Sequence, residues 1–198
     1  MAVESPDVDS MRAARSRIRH IVRDSDTYLG FALLEGDSIL KRWRDRTARP
    51  LSVHITPPIL PDLLQSVRNA FNRWERVGAI PVHFVFVRDS VAAEVEVKWI
   101  RAFPMRRSGQ TDVVWDQRGW LVRGTITLAT HSRSGRALAS DVVYTVALHE
   151  IGHMLGVGHS DDPDDLMYPS TSVHDLTPRD RRSARLLYSL PPGVVRDP

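Results

Sequence analysis

The chain has 198 residues, of which 42% are hydrophobic and 26% are charged, and its 27 basic and 24 acidic residues give a formal net charge of +3. This length suits one domain with a sizeable core, or one domain with an extension, and the composition is ordinary for a globular protein. No apolar run approaches the roughly 20 residues of a transmembrane helix, and the absence of cysteine excludes disulfides, thiolate zinc ligands and a cysteine nucleophile.

The N-terminal quarter of the chain predicts a polar, partly helical extension spanning residues 1–49. Arginines are frequent near its start, and apolar residues recur at roughly helical spacing from Ser25 to Trp43. The dipeptide Arg49-Pro50 marks a boundary, and Leu51–Ile55 alternates like a strand. The rest of the chain, residues 50–198, is therefore expected to form the main domain.

The middle of the chain predicts a helix followed by several strands. In Pro61–Val77 the apolar residues fall on one stripe, a proline and an acid suit the first turn, and Gly78 is a plausible C-cap. Strands are predicted at Pro81–Val87 and Ala93–Ile100 and in an apparent hairpin formed by Thr111–Asp116 and Trp120–Thr130.

The last third predicts two helices on either side of a loop rich in aspartate and proline. The first runs from Val142 to Leu155, with an N-cap at Ser140 or Asp141, and Gly156 could end it. The second follows an N-cap signal at the start of Thr177–Leu190. The order of elements indicates an α+β fold, or an α/β sandwich, with one mixed sheet.

The segment HEIGHMLGVGHS, which starts at His149, carries the clearest chemical signal. His149 and His153 lie four positions apart on one helical face, which suits two imidazole ligands of one zinc ion. Glu150 lies about 100° around the helix, where it can reach a metal-bound water. Gly156 could end the helix with a positive φ, and His159 would then supply a third ligand and leave the fourth position open. HExxH alone often arises by chance, but the full spacing is far more specific.

The full spacing H-E-x-x-H-x-x-G-x-x-H resembles that of the metzincin zinc endopeptidases. Ser160 after the third histidine, and the stretch DDPDDLMYPS over Asp161–Ser170, resemble the matrixin branch of that clan. The resemblance implies that Met167 forms the Met-turn beneath the zinc, by packing and not by ligation, and that Pro169 begins the wall of the S1′ pocket. It also implies that residues 50–198 are a catalytic domain with a twisted mixed five-stranded sheet, an active-site helix and a C-terminal helix.

The resemblance further implies where a peptide would bind. Arg123–Thr130 resembles the family's antiparallel edge strand, to which an extended peptide adds by main-chain hydrogen bonds. The substrate-binding candidates on this segment are Thr127, Leu128 and Ala129. Thr145 and Leu148 could shape the S1′ pocket, although ordinary helix positions explain them equally well.

The metal content is expected to be simpler than in animal matrixins, which carry a structural zinc and calcium ions near the edge strand. Residues 101–120 contain no histidine, so a second zinc is not expected. Calcium at the Asp161–Asp165 loop is conceivable but unsupported, because acids in a loop are usually solvated. One catalytic Zn²⁺ ion is the expected cofactor.

The functional hypothesis is a zinc-dependent endopeptidase, a hydrolase that cleaves internal peptide bonds with zinc-activated water and Glu150 as the general base. Two alternatives stay open: a zinc-binding module that recognises peptides without cutting them, and a narrow protease that processes one partner or itself. The expected partner is a protein or peptide substrate and the expected state is a monomer. Arginine clusters are interpreted as solvated helix faces and not as a nucleic-acid site.

The location of the protein is open at this stage. The start of the chain, MAVESPDVDSMRAARSRIRH, has charges where a secretory leader has an apolar segment. Either the protein stays inside the cell or the chain is a mature form without its leader. Of these, a mature secreted or cell-envelope form is expected.

Overall fold

A computed structural model describes residues 8–58 and 60–195, and the expectations for residues 1–7 lie outside this range. The helices are α1 (Val8–Arg23), α2 (Leu29–Glu35), α3 (Pro61–Val77), α4 (Ser140–Met154) and α5 (Pro178–Ser189). The strands are β1 (Ile39–Leu40), β2 (Arg46–Ile55), β3 (Val82–Phe86), β4 (Val95–Ile100), β5 (Gly109–Trp115), β6 (Leu121–Ala129) and β7 (Gly193–Val194). Within the described ranges, no helix has the length and apolar character needed to cross a membrane.

The main sheet is mixed and five-stranded. Its strand order is β3-β2-β4-β6-β5, in which β5 and β6 are antiparallel and the other neighbours are parallel. The short strands β1 and β7 form a separate antiparallel pair. The predicted α+β fold with a mixed five-stranded sheet is confirmed. The β5–β6 pair is the predicted hairpin, and its turn uses Gly119 at a φ of +83°, a conformation that a residue without Cβ adopts readily.

The edge of this sheet is not where the sequence predicted it. Strand β6 lies between β4 and β5, and Thr127 is opposite Lys98 on one side and Gln110 on the other. The main-chain groups of Thr127, Leu128 and Ala129 therefore face neighbouring strands of the sheet. Their predicted position on an edge strand is wrong, and the antiparallel edge strand is β5.

Helix α3 joins the sheet to helix α4. Pro61 occupies the first turn, and residues at helical spacing, among them Val67, Phe71 and Trp74, are buried on one face. The Trp74 indole Nε1–H donates to the Leu148 carbonyl of α4 at 2.8 Å. Burial of such side chains contributes about 1.5–3 kcal/mol each, so α3 holds α4 firmly against the sheet.

The predicted extension is packed into the same core as the main domain. Tyr28, Leu40 and Trp43 are at most 1% exposed, and the Trp43 Nε1–H donates to the Met154 carbonyl at 2.8 Å. The predicted boundary between residues 49 and 50 falls inside β2. The structure therefore has no break at that point.

Pro50, which predicted a boundary, lies within strand β2. The pairing of β2 with β3 changes register between Arg46 and Leu51. Irregular positions of this kind tolerate a proline, which has no N–H to donate to the ladder.

The helix starts were predicted with mixed success. The predicted side-chain N-caps of α4 are wrong: the helix already begins at Ser140, and Ala139 occupies the cap position without a side-chain hydrogen bond. The capping box of α5 is confirmed. The Asp180 N–H donates to Thr177 Oγ1 at 3.1 Å, and the Thr177 N–H donates to Asp180 Oδ2 at 2.8 Å.

Candidate metal centre and active site

Three histidine side chains converge at the C-terminal end of α4. His149 and His153 project from the helix, and Gly156, with a φ of +94°, turns the chain so that His159 returns to them. The His153 Nε2 lies 3.0 Å from His149 Nε2 and 3.2 Å from His159 Nε2. These are the three residues that the motif predicted as metal ligands. They form the one group among the described residues whose ligand atoms are close enough to hold a metal ion.

Main-chain carbonyls set the orientation of two of these rings. His149 Nδ1 is 2.8 Å from the Leu166 carbonyl oxygen, and His153 Nδ1 is 2.9 Å from the Val157 carbonyl oxygen. A carbonyl only accepts, so each Nδ1 carries the proton and each Nε2 presents a lone pair. Burial lowers the pKa of His149, and burial aided by the neighbouring histidines lowers the pKa of His153 to about 3. Both rings are therefore neutral near pH 7.

The spacing of the three nitrogens fits a tetrahedral zinc ion. Zinc–nitrogen bonds of about 2.0–2.1 Å at tetrahedral angles put ligand nitrogens about 3.3 Å apart. The two short separations, 3.0 and 3.2 Å, are close to this value. Without a metal, lone pairs that face each other at such distances repel. The donor set and its geometry thus suit zinc with a fourth position left open.

Met167 packs against α4 at Gly152, which lies between the two helical histidines in the sequence. Its side chain is fully buried, and a Cβ added at Gly152 would lie 2.5 Å from its sulfur. The buried Asp180 carboxylate accepts hydrogen bonds from the Leu166 and Met167 N–H groups at 3.1 and 3.3 Å. The Met167 carbonyl accepts from the Ser160 N–H at 2.9 Å. The turn is therefore tied to both α5 and the segment that carries His159, residues 156–160, which we call the metal loop.

Two of these supporting residues were missed by sequence reasoning. Asp180 was assigned only to the capping of α5, and Gly152 was assigned no role. The signal for Gly152 was its position between two histidines on a helix with apolar neighbours. A side chain there would meet the element that packs against the helix. Nothing local indicated that Asp180 reaches the turn at Met167.

Glu150 lies beside the histidines in a nearly dry environment. Its side chain is 6% exposed, and its Oε2 accepts a hydrogen bond from Thr111 Oγ1 of β5 at 2.6 Å. Burial raises the pKa of Glu150 to about 7, against the opposing effect of the Thr111 hydrogen bond and the Arg107 charge. A carboxyl group with a pKa near neutral pH is suited to accept and return a proton. Thr111 was also missed, because its partner is distant in sequence.

The three histidines and Glu150 line an open cleft of about 530 Å³. Residues of the edge strand β5 line it, together with the metal loop, Pro169 and Lys41. Lys41 comes from the N-terminal segment, where its Nζ pairs with Asp37 and lies 3.7 Å from the ring centroid of Trp115. The predicted extension therefore contributes to the cleft. A cavity of about 630 Å³ between α1 and α2 is lined by none of the three converging histidines.

The remaining predicted residues do not line this cleft. Leu148 is fully buried and binds Trp74 through its carbonyl. The Thr145 hydroxyl donates to the Asp141 carbonyl at 3.1 Å and lies 3.2 Å from His174 Nδ1. These contacts account for both residues, and their role in an S1′ pocket stays a prediction.

The acidic loop before the turn at Met167 is neutralised by an arginine of the chain itself. Arg179 donates to Asp161 at 2.8 Å and to Asp165 at 2.9 Å. Asp165 is buried and also accepts from the Ser160 hydroxyl at 2.5 Å. Two of the acids considered for calcium are thus engaged within the protein.

The chain is similar in sequence to a known family and to several metalloendoproteinases. A family model described as matrixin matches residues 60–189. Metalloendoproteinase 4-MMP of Arabidopsis thaliana is 29% identical over 138 residues, which cover 65% of this chain and 38% of the relative. Metalloendoproteinase 1-MMP of the same plant is 32% identical over 159 residues, 69% of this chain and 40% of the relative. Metalloendoproteinase 1 of Glycine max is 24% identical over a 209-residue alignment, 90% of this chain and 64% of the relative. The chain spans less than two thirds of the length of each.

Proposed function

The chain belongs to the matrixin family, and on this premise we propose that it is a zinc-dependent endopeptidase that hydrolyses internal peptide bonds of protein or peptide substrates. The observation that carries the proposal is the convergence of three imidazole Nε2 atoms beside the buried Glu150 carboxylate, in an open cleft. His149, His153 and His159 would hold one Zn²⁺ ion. When bound, zinc supplies Lewis acidity, which lowers the pKa of a bound water toward ~7 and polarises a substrate carbonyl.

Glu150 would be the proton carrier of the reaction. Its carboxylate takes a proton from the attacking water and later gives it to the leaving amine. Burial raises the pKa of Glu150, so this carboxylate holds a proton more readily than an exposed one. His149 and His153 cannot replace it, because their Nδ1 protons are committed to main-chain carbonyls and their Nε2 atoms would hold the zinc.

Strand β5 would bind the peptide backbone. It is the edge strand of the sheet that lines the cleft, so its outer N–H and C=O groups are available to an extended peptide. This replaces the β6 segment considered from the sequence. Pro169 lies on the cleft lining and would form part of the S1′ wall.

The two alternatives predict different behaviour. A recognition module would bind zinc and peptide without cleavage, and the buried carboxylate of Glu150 beside the histidines speaks against it. A narrow processing enzyme would cleave its own partner and leave general substrates intact. The monomeric state and a secreted or cell-envelope location stay predictions, with the mature form as the hypothesis.

A peptide-cleavage assay with matched variants tests the proposal. Wild-type protein, Glu150→Gln and Glu96→Gln, each loaded with one zinc, are incubated with a fluorogenic peptide library. Glu96 is a partly exposed carboxylate on β4 that pairs with Lys98 at 3.0 Å, so its variant controls for loss of a charge. We expect Glu150→Gln to lose roughly 100- to 10,000-fold in kcat while Glu96→Gln stays active.

Three outcomes would contradict the proposal or favour one of the two alternatives. Equal cleavage by wild type and Glu150→Gln would refute the assignment of Glu150. No cleavage by any zinc-loaded protein, with peptide binding retained, would favour the recognition module. Cleavage confined to one natural partner would favour the processing enzyme.

A further inference from the structure

The hydroxyl group of Thr111 makes a short contact with the carboxylate of Glu150. Thr111 Oγ1 is 2.6 Å from Glu150 Oε2 and 3.0 Å from the main-chain oxygen of the same residue. Both oxygens are acceptors, and the hydroxyl has one proton, so it donates to one of them at a time. The shorter contact has the length of a charge-assisted O–H···O⁻ bond. Among the described residues, no other side chain is hydrogen-bonded to this carboxylate.

Strand β5 forms a slot for the carboxylate group. Thr111 binds Oε2, and a Cβ added at Gly109, two residues earlier, would lie 2.5 Å from Oε1 and 2.7 Å from a methyl group of Val146. The absence of a side chain at Gly109 therefore lets the helix bring Glu150 this close to the strand. One carboxylate oxygen lies over the glycine and the other is held by the threonine.

The slot is rigid because β5 is paired along its length. Thr111 is opposite Ile126 of β6, and Gly109 is opposite Leu128. A glutamate side chain has three rotatable bonds, and burial alone does not select one direction for its carboxylate. The hydrogen bond from a fixed strand selects one direction for the carboxylate. The same strand is the edge strand proposed to bind the peptide.

We propose that Thr111 is a positioning residue, which holds the Glu150 carboxylate towards the water at the metal centre in register with a peptide on β5. This inference rests on the proposed function. Thr111 does not itself exchange a proton with substrate. A displacement of about 1 Å in a reacting group can reduce a rate by about 100-fold, so loss of the hydroxyl should lower kcat.

The test compares Thr111→Val, which keeps the shape and removes the hydroxyl, with Thr111→Ser, which keeps the hydroxyl. Thr125→Val on the neighbouring strand β6 is the control for a threonine-to-valine change in the same sheet. We expect Thr111→Val to lower kcat roughly 10- to 100-fold, with KM, zinc affinity and melting temperature close to those of Thr125→Val. Thr111→Ser should recover most of the lost kcat.

A readout without catalysis accompanies the kinetics. Crystal structures of the zinc-free wild type and Thr111→Val should show the Glu150 carboxylate in one orientation in the former and displaced or divided between orientations in the latter. An unchanged carboxylate and unchanged kcat in Thr111→Val would overturn the inference. So would a loss that Thr111→Ser does not recover, or one matched by a loss of zinc affinity.

Failure of the proposed function would look different. In that case the zinc-loaded wild type and Glu150→Gln would be equally inactive or equally active. The crystallographic comparison would still decide whether Thr111 orients the carboxylate.

Discussion

Substitution of Gly156 by alanine tests whether the N-terminal segment and the metal loop are built against each other. Gly156 has a φ of +94°, and a Cβ added there would overlap the main-chain carbonyl oxygen of Lys41. The same turn presents the Val157 carbonyl to His153 Nδ1 and leads to His159. A change at this glycine should therefore affect both stability and metal binding.

The expected loss has two parts. An L-residue in the left-handed region costs about 1–2 kcal/mol, and overlap with a backbone atom in a packed site adds about 1–3 kcal/mol. Gly135 is a matched control, because it has a φ of +83° but its added Cβ would meet nothing closer than Arg101 at 3.9 Å. Gly135→Ala should show only the cost of the left-handed backbone conformation.

Urea unfolding of the zinc-free proteins measures both parts. We expect Gly156→Ala to lose about 2–5 kcal/mol and Gly135→Ala about 1–2 kcal/mol. Competition with a chelator should show that Gly156→Ala alone loses tenfold or more in zinc affinity, since about 1.4 kcal/mol is a factor of ten. Equal losses of stability in the two variants would refute the packing of this turn against the segment around Lys41. An unchanged zinc affinity in Gly156→Ala would refute its role in placing the metal ligands.

Four further predictions concern the supports of the site and the metal itself. Asp180→Asn should lose about 2–4 kcal/mol in urea unfolding. The side-chain NH2 of asparagine would face hydrogen-bond donors that now donate to the carboxylate, and those buried donors would be left unpaired. Tyr28→Phe, which removes only the hydroxyl donor at 3.0 Å, should lose about 1 kcal/mol, and an equal loss in both would contradict the role of the carboxylate. Arg73→Ala should change stability by less than about 1 kcal/mol, because its pair with Asp175 is partly exposed, and a larger loss would show that the pair anchors the loop after Pro169. Chelation of zinc should abolish cleavage and lower the unfolding free energy by about 2.7 kcal/mol relative to protein in zinc at 100 times Kd, and an unchanged melting temperature would argue against specific binding.

The metal centre could be predicted from the sequence because its geometry is local. His149 and His153 are four positions apart, and this spacing brings their side chains together in any α-helix. Gly156 and His159 follow within six residues of His153, so a single turn after the helix suffices. The capping box at Thr177 was predictable for the same reason, since it depends on a contact between residues three apart.

The surroundings of the site could not be predicted from the sequence, because they depend on the order of the strands in the sheet. The alternation of β5 and β6 identifies both as strands, but a two-residue period is the same at an edge and inside a sheet. The position of Arg123–Thr130 within the sheet could therefore not be read from its pattern. Only the tertiary structure places β6 between β4 and β5. It thereby makes β5 the edge strand and the candidate peptide-binding surface.

What the sequence by itself determined is the class of elements, the convergence of His149, His153 and His159 with Glu150 beside them, and the turn that brings His159 back. Only the tertiary structure decided that Thr111 and Gly109 enclose the Glu150 carboxylate, that Asp180 holds the turn at Met167, and that Lys41 lines the cleft. The reason is physical: helix and turn geometry act over a few residues, whereas these contacts join segments far apart in the chain, through packing that no local pattern records.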